Sequence, residues 1–282
     1  AAYDQGGGGV GRTITADAGA VSIAGTDGLV ASGTYGSGTI PATGAGARMM
    51  WYPKKAAFRA GYVDGTQWDD ANIGAYSVAG GDRNTASGVA SVISGGWSSK
   101  TSGQFATVGG GKNNIISSNY STVGGGQNNV AQGNTHATVG GGINNTASGL
   151  YATISGGNNN SATGGQDFVG GGSGSTASGG NAVVGGGALH IASGNYAIIP
   201  GGYNNTAAGL CSFAAGRKAR ANHAGAFVWA DPSAEDFAST AVNQFLIRAS
   251  GGVGINTTSP GAVFSVAGSV DARGSFRALD GD

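Results

Sequence analysis

The sequence predicts an all-β fold: a parallel β-roll or β-solenoid of about ten 15-residue coils, standing side by side as a homotrimer, with β-rich caps at both ends. Three observations carry this expectation. First, glycine clusters recur, and their closing residues are Gly81, Gly96, Gly111, Gly126, Gly142, Gly157, Gly172, Gly187, Gly202 and Gly216. The steps are 15, 15, 15, 16, 15, 15, 15, 15 and 14 residues. A fixed short period over that length marks a solenoid, whose repeats bury a core only by stacking on one another. Second, three residues before each closing glycine stand Val78, Ile93, Val108, Val123, Val139, Ile154, Val169, Val184, Ile199 and Phe213. This apolar, mostly β-branched column suits the inner face of short strands. Third, five residues after the glycine stand Ala86, Thr101, Ile116, Ala131, Ala147, Ala162, Ala177, Ala192, Ala207 and Ala221. These are mostly small, so two walls of the coil can lie close together.

The corners follow from composition. Gly-Gly-x-Asn-Asn occupies one side and Ala-Ser-Gly the other, and glycine and asparagine tolerate the positive φ of tight turns. Ten rungs at about 4.8 Å each give a rod of roughly 45–50 Å.

The position just before the inner column points outward on a strand. It reads Ser77, Val92, Thr107, Thr122, Thr138, Thr153, Phe168, Val183, Ile198 and Ser212. Val92, Phe168, Val183 and Ile198 are large and apolar. Scattered surface hydrophobes are one reading. Their clustering at successive rungs favours the other, a face buried against further copies of the chain. The Thr rank also resembles ordered Thr arrays of ice-binding surfaces, but Phe168, Val183 and Ile198 break it.

Four segments are expected. Residues 1–47 form a glycine-rich arm, with Gly6 to Gly9 as a flexible lead-in and short strands such as Thr13 to Ala16 and Val21 to Ile23. Residues 48–75 are aromatic and basic. Residues 76–225 are the repeat domain, and 226–282 form a C-terminal cap and β-rich stalk. Phe227 to Pro232 reads as the closing cap. Strands are expected over Asn243 to Ala249, Gly252 to Ile255 and Val263 to Val266, before a polar end at Asp282.

Within 48–75, Trp51, Tyr52, Lys54, Arg59 and Trp68 are candidate ligand contacts, through stacking and cation–π attraction. The competing reading is a plug over the open first coil, which a solenoid requires.

The 282 residues include 59 glycines, carry 10% charged residues and have zero net charge. A neutral surface argues against a nucleic-acid partner. No apolar run is long enough to span a membrane as a helix. The single cysteine, Cys211, falls in a column of small residues and aromatics and is expected as a packed thiol. The start Ala1-Ala2-Tyr3 fits a processed secreted chain or a trimmed one.

No motif calls for a cofactor. Gly109-Gly110-Gly111-Lys112-Asn113 lacks phosphate-loop spacing. Asp82 and Asp167 are too few for a calcium β-roll. His136, His190 and His223 stand in different columns, as surface turn residues rather than metal ligands. A glycosidase needs two facing carboxylates; Asp69 with Asp70 and Glu235 with Asp236 are adjacent pairs, which a strand sends to opposite faces.

The units Tyr151-Ala152-Thr153-Ile154-Ser155-Gly156-Gly157-Asn158 and Asn145-Thr146-Ala147-Ser148-Gly149 resemble head repeats of trimeric autotransporter adhesins over residues 76–225. That resemblance implies a parallel β-roll, three rolls side by side, and attachment to a surface glycan or matrix protein. The period of 15 differs from the commoner 14 of those heads. The flanks, Arg48 to Gly61 with Trp68-Asp69-Asp70 and Asn243 to Ile255, resemble bacterial surface proteins and phage-type tail fibres. The expected role is a non-enzymatic extracellular, cell-surface or virion fibre, with possible head-to-tail self-association. The alternative is a tailspike-like receptor-binding protein that cleaves polysaccharide.

Overall fold

The computed structural model describes residues 29–266. The expected lead-in and the strands at 13–16 and 21–23 lie outside the described residues, as does the polar end near 282. The chain divides into two units, 1–33 and 34–282. Of the first, the described residues 29–33 carry no regular structure. All that follows concerns the second.

This unit is a β-solenoid of about 13 turns. Its longer sheet runs in parallel from Ala57–Val63 through Val78–Asp82 and Val92–Ile93 to Phe213–Arg217, Phe227–Ala230 and Phe245–Arg248. The facing sheet runs from Thr85–Ala86 to Phe237–Ala238. A line of single parallel bridges from Asp82 to Tyr203 marks the corner between them. Most rungs contribute only two residues to each sheet, such as Thr153–Ile154 and Ser161–Ala162.

Burial obeys the columns. Ile93, Val108, Val123, Val139, Ile154, Val169, Val184 and Ile199 are buried, and so is the whole small column from Ala86 to Ala221. β-Branched side chains on one wall meet alanines on the other, so the thin core fills without long side chains.

Val78 and Phe213 do not join that core. Val78 pairs with Val92, and Phe213 with Ile198, so both lie in the outward column. Ala79 and Ala214 take the inner places, and Ser77 and Ser212, expected outside, are buried. The cause is a corner one residue shorter. Ala79-Gly80-Gly81 and Ala214-Ala215-Gly216 replace the usual spacing of Ile93-Ser94-Gly95-Gly96. A one-residue shift moves a strand residue to the other face.

The stack also outruns the glycine period. Phe227–Ala230 is no closing cap: it pairs in parallel with Phe213–Arg217 and with Phe245–Arg248. At the other end, Ala57–Val63 forms a parallel rung below Val78–Asp82, and Gly46–Tyr52 closes it antiparallel. Val253–Ile255 and Phe264–Val266 make a separate parallel pair.

A third inner column, the last position of each Gly-Gly-x-Asn-Asn corner, is polar and buried: Asn114, Asn129, Asn145, Asn160 and Asn205, with Asn84 in the same place after Arg83. Asn129 Nδ2 donates to Gly125 O at 2.9 Å in its own corner and to Gly142 O at 2.8 Å in the next, while its Oδ1 accepts the Asn145 N–H at 3.0 Å. Ser99, Ser175 and His190 interrupt the column. The first asparagine of each pair does different work. Asn113, Asn128, Asn144, Asn159 and Asn204 all adopt positive φ at the turn.

Candidate functional site

The aromatic and basic segment folds as the floor of the solenoid. Met50, Tyr52, Ala57, Val63, Trp68 and Ile73 form a second apolar cluster. Arg59 is fully buried. Its Nη1 donates to Phe58 O at 2.8 Å and Ser77 O at 2.9 Å, and its Nη2 to Ser77 Oγ at 2.8 Å and Ala86 O at 2.9 Å. A guanidinium is suited to this, because its fixed fork of donors meets several carbonyls of an open coil at once. Burial pushes its pKa down to about 10.

Trp68 is also buried and donates from Nε1 to Asn84 O at 2.9 Å. Tyr52 donates to Asp70 Oδ1 at 2.7 Å, and burial, with Asp70 beside it, pushes its hydroxyl up to about 12. Lys55 pairs with Asp70 at 3.1 Å. Of the five candidate contacts, then, Tyr52, Arg59 and Trp68 point into the plug. Trp51 is exposed and Lys54 half-exposed, so only these two offer surface.

The outward face of the longer sheet changes character half-way. Thr107, Thr122, Thr138 and Thr153 stack in register. Above them Phe168, Val183, Ile198, Phe213, Phe227 and Phe245 stack in register. Their rings and branches form one strip, about 24 Å long at about 4.8 Å per rung. The three upper phenylalanines stack with ring centroids 4.5 and 4.6 Å apart. Phe168 is 38% exposed, Ile198 43% and Phe245 68%. The structure therefore brings Phe168, Val183 and Ile198 together and leaves Val92 five rungs away. Phe213, Phe227 and Phe245 were missed by sequence reasoning. The signal was present in the recurrence of Phe before Ala-Ala, Val-Trp and Leu-Ile, but the shortened corner hid the phase.

A second exposed column lies on the opposite turn. Phe105, Tyr120, His136 and Tyr151 stack at centroid distances of 5.0, 5.0 and 4.9 Å, each from a backbone with positive φ. Stacked rings cover one another's faces and present edges to solvent, so this column braces the turn. Cys211 shares that column and is exposed, not packed, because the turn points it outward at φ 52°. His136 is exposed there too, but His190 is fully buried in the asparagine column, contrary to the expected surface turn.

The carboxylates sit in structural roles. Asp167 is buried and accepts N–H groups from Gly164, Gly180 and Ala182 at 2.7, 3.0 and 2.9 Å. Asp69 accepts the Gly44 N–H at 2.9 Å, and Asp236 pairs with Arg220 at 3.1 Å. Asp231 accepts from Ser233, from Ser250 N–H and from Arg248 Nε, and the hydrogen bonds from Ser233 first, then Ser250, hold its pKa far below the ordinary carboxylate range.

Neither a protein-family model nor a curated protein matches the chain. Among the described residues no helix is long and apolar enough to cross a membrane.

Proposed function

We propose that the protein is a structural and adhesive fibre, or the head of one, built from three copies with their solenoids side by side and carried outside the cell or on a virion. The observation that supports this most is the strip from Phe168 to Phe245. Its side chains are exposed (Phe168, Ile198, Phe245) or half-buried (Val183, Phe213, Phe227), contiguous and in register over six rungs. A contiguous apolar patch of this kind on a soluble chain marks an interaction surface. A second copy repeats the same row at the same rung spacing, so parallel copies present matching rows along their length. Zero net charge removes long-range repulsion between copies.

The work of such a fibre is attachment to a surface glycan or matrix protein. The rigid solenoid sets the reach, and the floor built on Arg59 and Trp68 keeps the first coil from pairing with stray strands.

The test is a pair of substitutions, Val183→Asp and Ile198→Asp, followed by light scattering behind a sizing column. The wild-type chain should elute as a trimer and the double variant as a 27.1 kDa monomer. A variant that stays trimeric with its circular dichroism intact removes the strip as the interface. Arrays of glycans and matrix proteins probed with the wild-type trimer then test attachment directly.

A further inference from the structure

Next to the upper end of the apolar strip lies an open cleft of about 380 Å³. It is lined around Gly216 by Tyr203, Arg217, Trp229, Asp231 and Pro232. The ladder assembles it. Tyr203 and Arg217 are register partners on adjacent rungs, and Trp229 stands on the rung above, paired with Ala215. Both Trp229 and Tyr203 are exposed. The volume lies within the roughly 300–1,000 Å³ of small-molecule sites.

The walls of the cleft are almost wholly apolar, and a cation, Arg217, stands at their edge. The Arg217 guanidinium carbon lies 5.9 Å from the Tyr203 ring centroid, and its Nη1 donates to Pro232 O at 2.8 Å. Arg217 has no carboxylate partner among the described residues. Asp231 also lines the cleft, but it is buried, and its charge is met by Arg248 Nε at 3.0 Å and the Ser250 N–H at 2.9 Å. Charge complementarity therefore selects an anion, and the exposed indole and phenol select one with an apolar face.

We propose that this cleft binds a pyranose that carries a carboxylate, a uronic- or sialic-acid unit. The C–H face of the ring packs on Trp229, the carboxylate meets the free guanidinium edge of Arg217, and the remaining hydroxyls stay in water. This deepens the attachment reading and rests on it, since it names the ligand class for the same fibre.

The experiment is isothermal titration of the full chain with trigalacturonic acid and 3′-sialyllactose, and with maltotriose as the neutral probe. At least one acidic probe should bind about tenfold or more tightly than maltotriose, and Trp229→Ala and Arg217→Gln should each weaken it about tenfold or more, with solution mass unchanged. Raising the salt concentration should weaken the acidic probe and spare the neutral one. If Trp229→Ala fails to fold, Arg217→Gln, which alters only the rim, decides alone.

No heat from either acidic probe at millimolar concentration would overturn the proposal, as would binding indifferent to both substitutions. A change of mass on Trp229→Ala would also overturn it, by making the cleft a contact between copies. Failure of acidic-sugar binding with a trimeric mass leaves the fibre reading standing. A monomeric wild-type chain that binds the acidic probe keeps the cleft and sinks the trimer.

Discussion

Asn145 hands its side-chain hydrogen bonds up the stack to Asn160. Its Oδ1 accepts the Asn160 N–H at 3.0 Å, while its Nδ2 donates to Gly141 O at 3.0 Å and Gly157 O at 2.9 Å. Asn160 repeats the pattern on the next rung, with Gly156 O at 3.1 Å, Gly172 O at 3.0 Å and the Ser175 N–H at 3.0 Å. The corner has too few strand residues to satisfy its own backbone, and the buried amide supplies the missing partners.

Asn145→Ala should therefore lower the free energy of unfolding by at least about 2 kcal/mol, because it strands buried backbone groups on two rungs. Asn145→Asp should do more harm, since a carboxylate cannot donate to Gly141 or Gly157. Asn144→Gly, at the neighbouring positive-φ position, should be close to neutral. Urea unfolding of the three variants checks this. Equal effects at positions 144 and 145 would contradict the division of labour.

His190 occupies an asparagine place imperfectly. Its Nδ1 accepts the Asn205 N–H at 3.1 Å, but its Nε2 is buried with no hydrogen-bond partner. Burial pushes its pKa below the ordinary histidine value. The contribution to stability is full above about pH 6.5, where the unfolded histidine is also neutral. It is lost as pH falls from there to the depressed folded value, because only the unfolded chain takes up the proton. His190→Asn should restore the Nδ2 donor, raise stability by about 1 kcal/mol and remove this slope below about pH 6.5. Thermal melts of both proteins across that range give the answer; parallel pH curves would contradict it.

The closing glycines are fixed by geometry. Gly126 has φ +83°, and a Cβ there would meet Gly142 O at 2.1 Å. Gly126→Ala should destabilise by more than about 2 kcal/mol. Gly125, whose Cβ would meet nothing within 4 Å, should accept alanine with little change. Comparing the two melting temperatures separates a specific requirement from a general preference for glycine.

Much of this was legible in the period. Columns such as Ile154 and Ala147 repeat at a fixed step, and a fixed step on strands fixes which face each residue takes. Legibility failed where the step changed. Val78 and Phe213 sit beside shortened corners, so counting back from the glycine put them inside. Phe227–Ala230 and Phe245–Arg248 are rungs without the glycine corner, and a count based on glycine stops before them. Arg59 and Trp68 fitted either a binding surface or a plug over the first coil from their composition, and their burial in the stack decides for the plug. The asparagine pair was readable as a turn, but the burial of its second member was not, because a buried amide column depends on carbonyls from two other rungs.

The two halves of the outward face should behave differently. Phe227→Asp places a charge in the strip and should separate the copies. Thr122→Asp places the same charge at the exposed Thr122, five rungs below Ile198 counted through Thr138, Thr153, Phe168 and Val183, and should leave the assembly intact. Sedimentation velocity on both variants tests where the contact lies. Dissociation by Thr122→Asp alone would move the contact to the Thr half.

The most direct measurement is the solution mass of the wild-type chain by light scattering behind a sizing column. The account predicts a single peak near three times the 27.1 kDa chain, unchanged on dilution through the micromolar range. A monodisperse peak at 27.1 kDa would contradict it, because the strip from Phe168 to Phe245 would then stand exposed on a free chain.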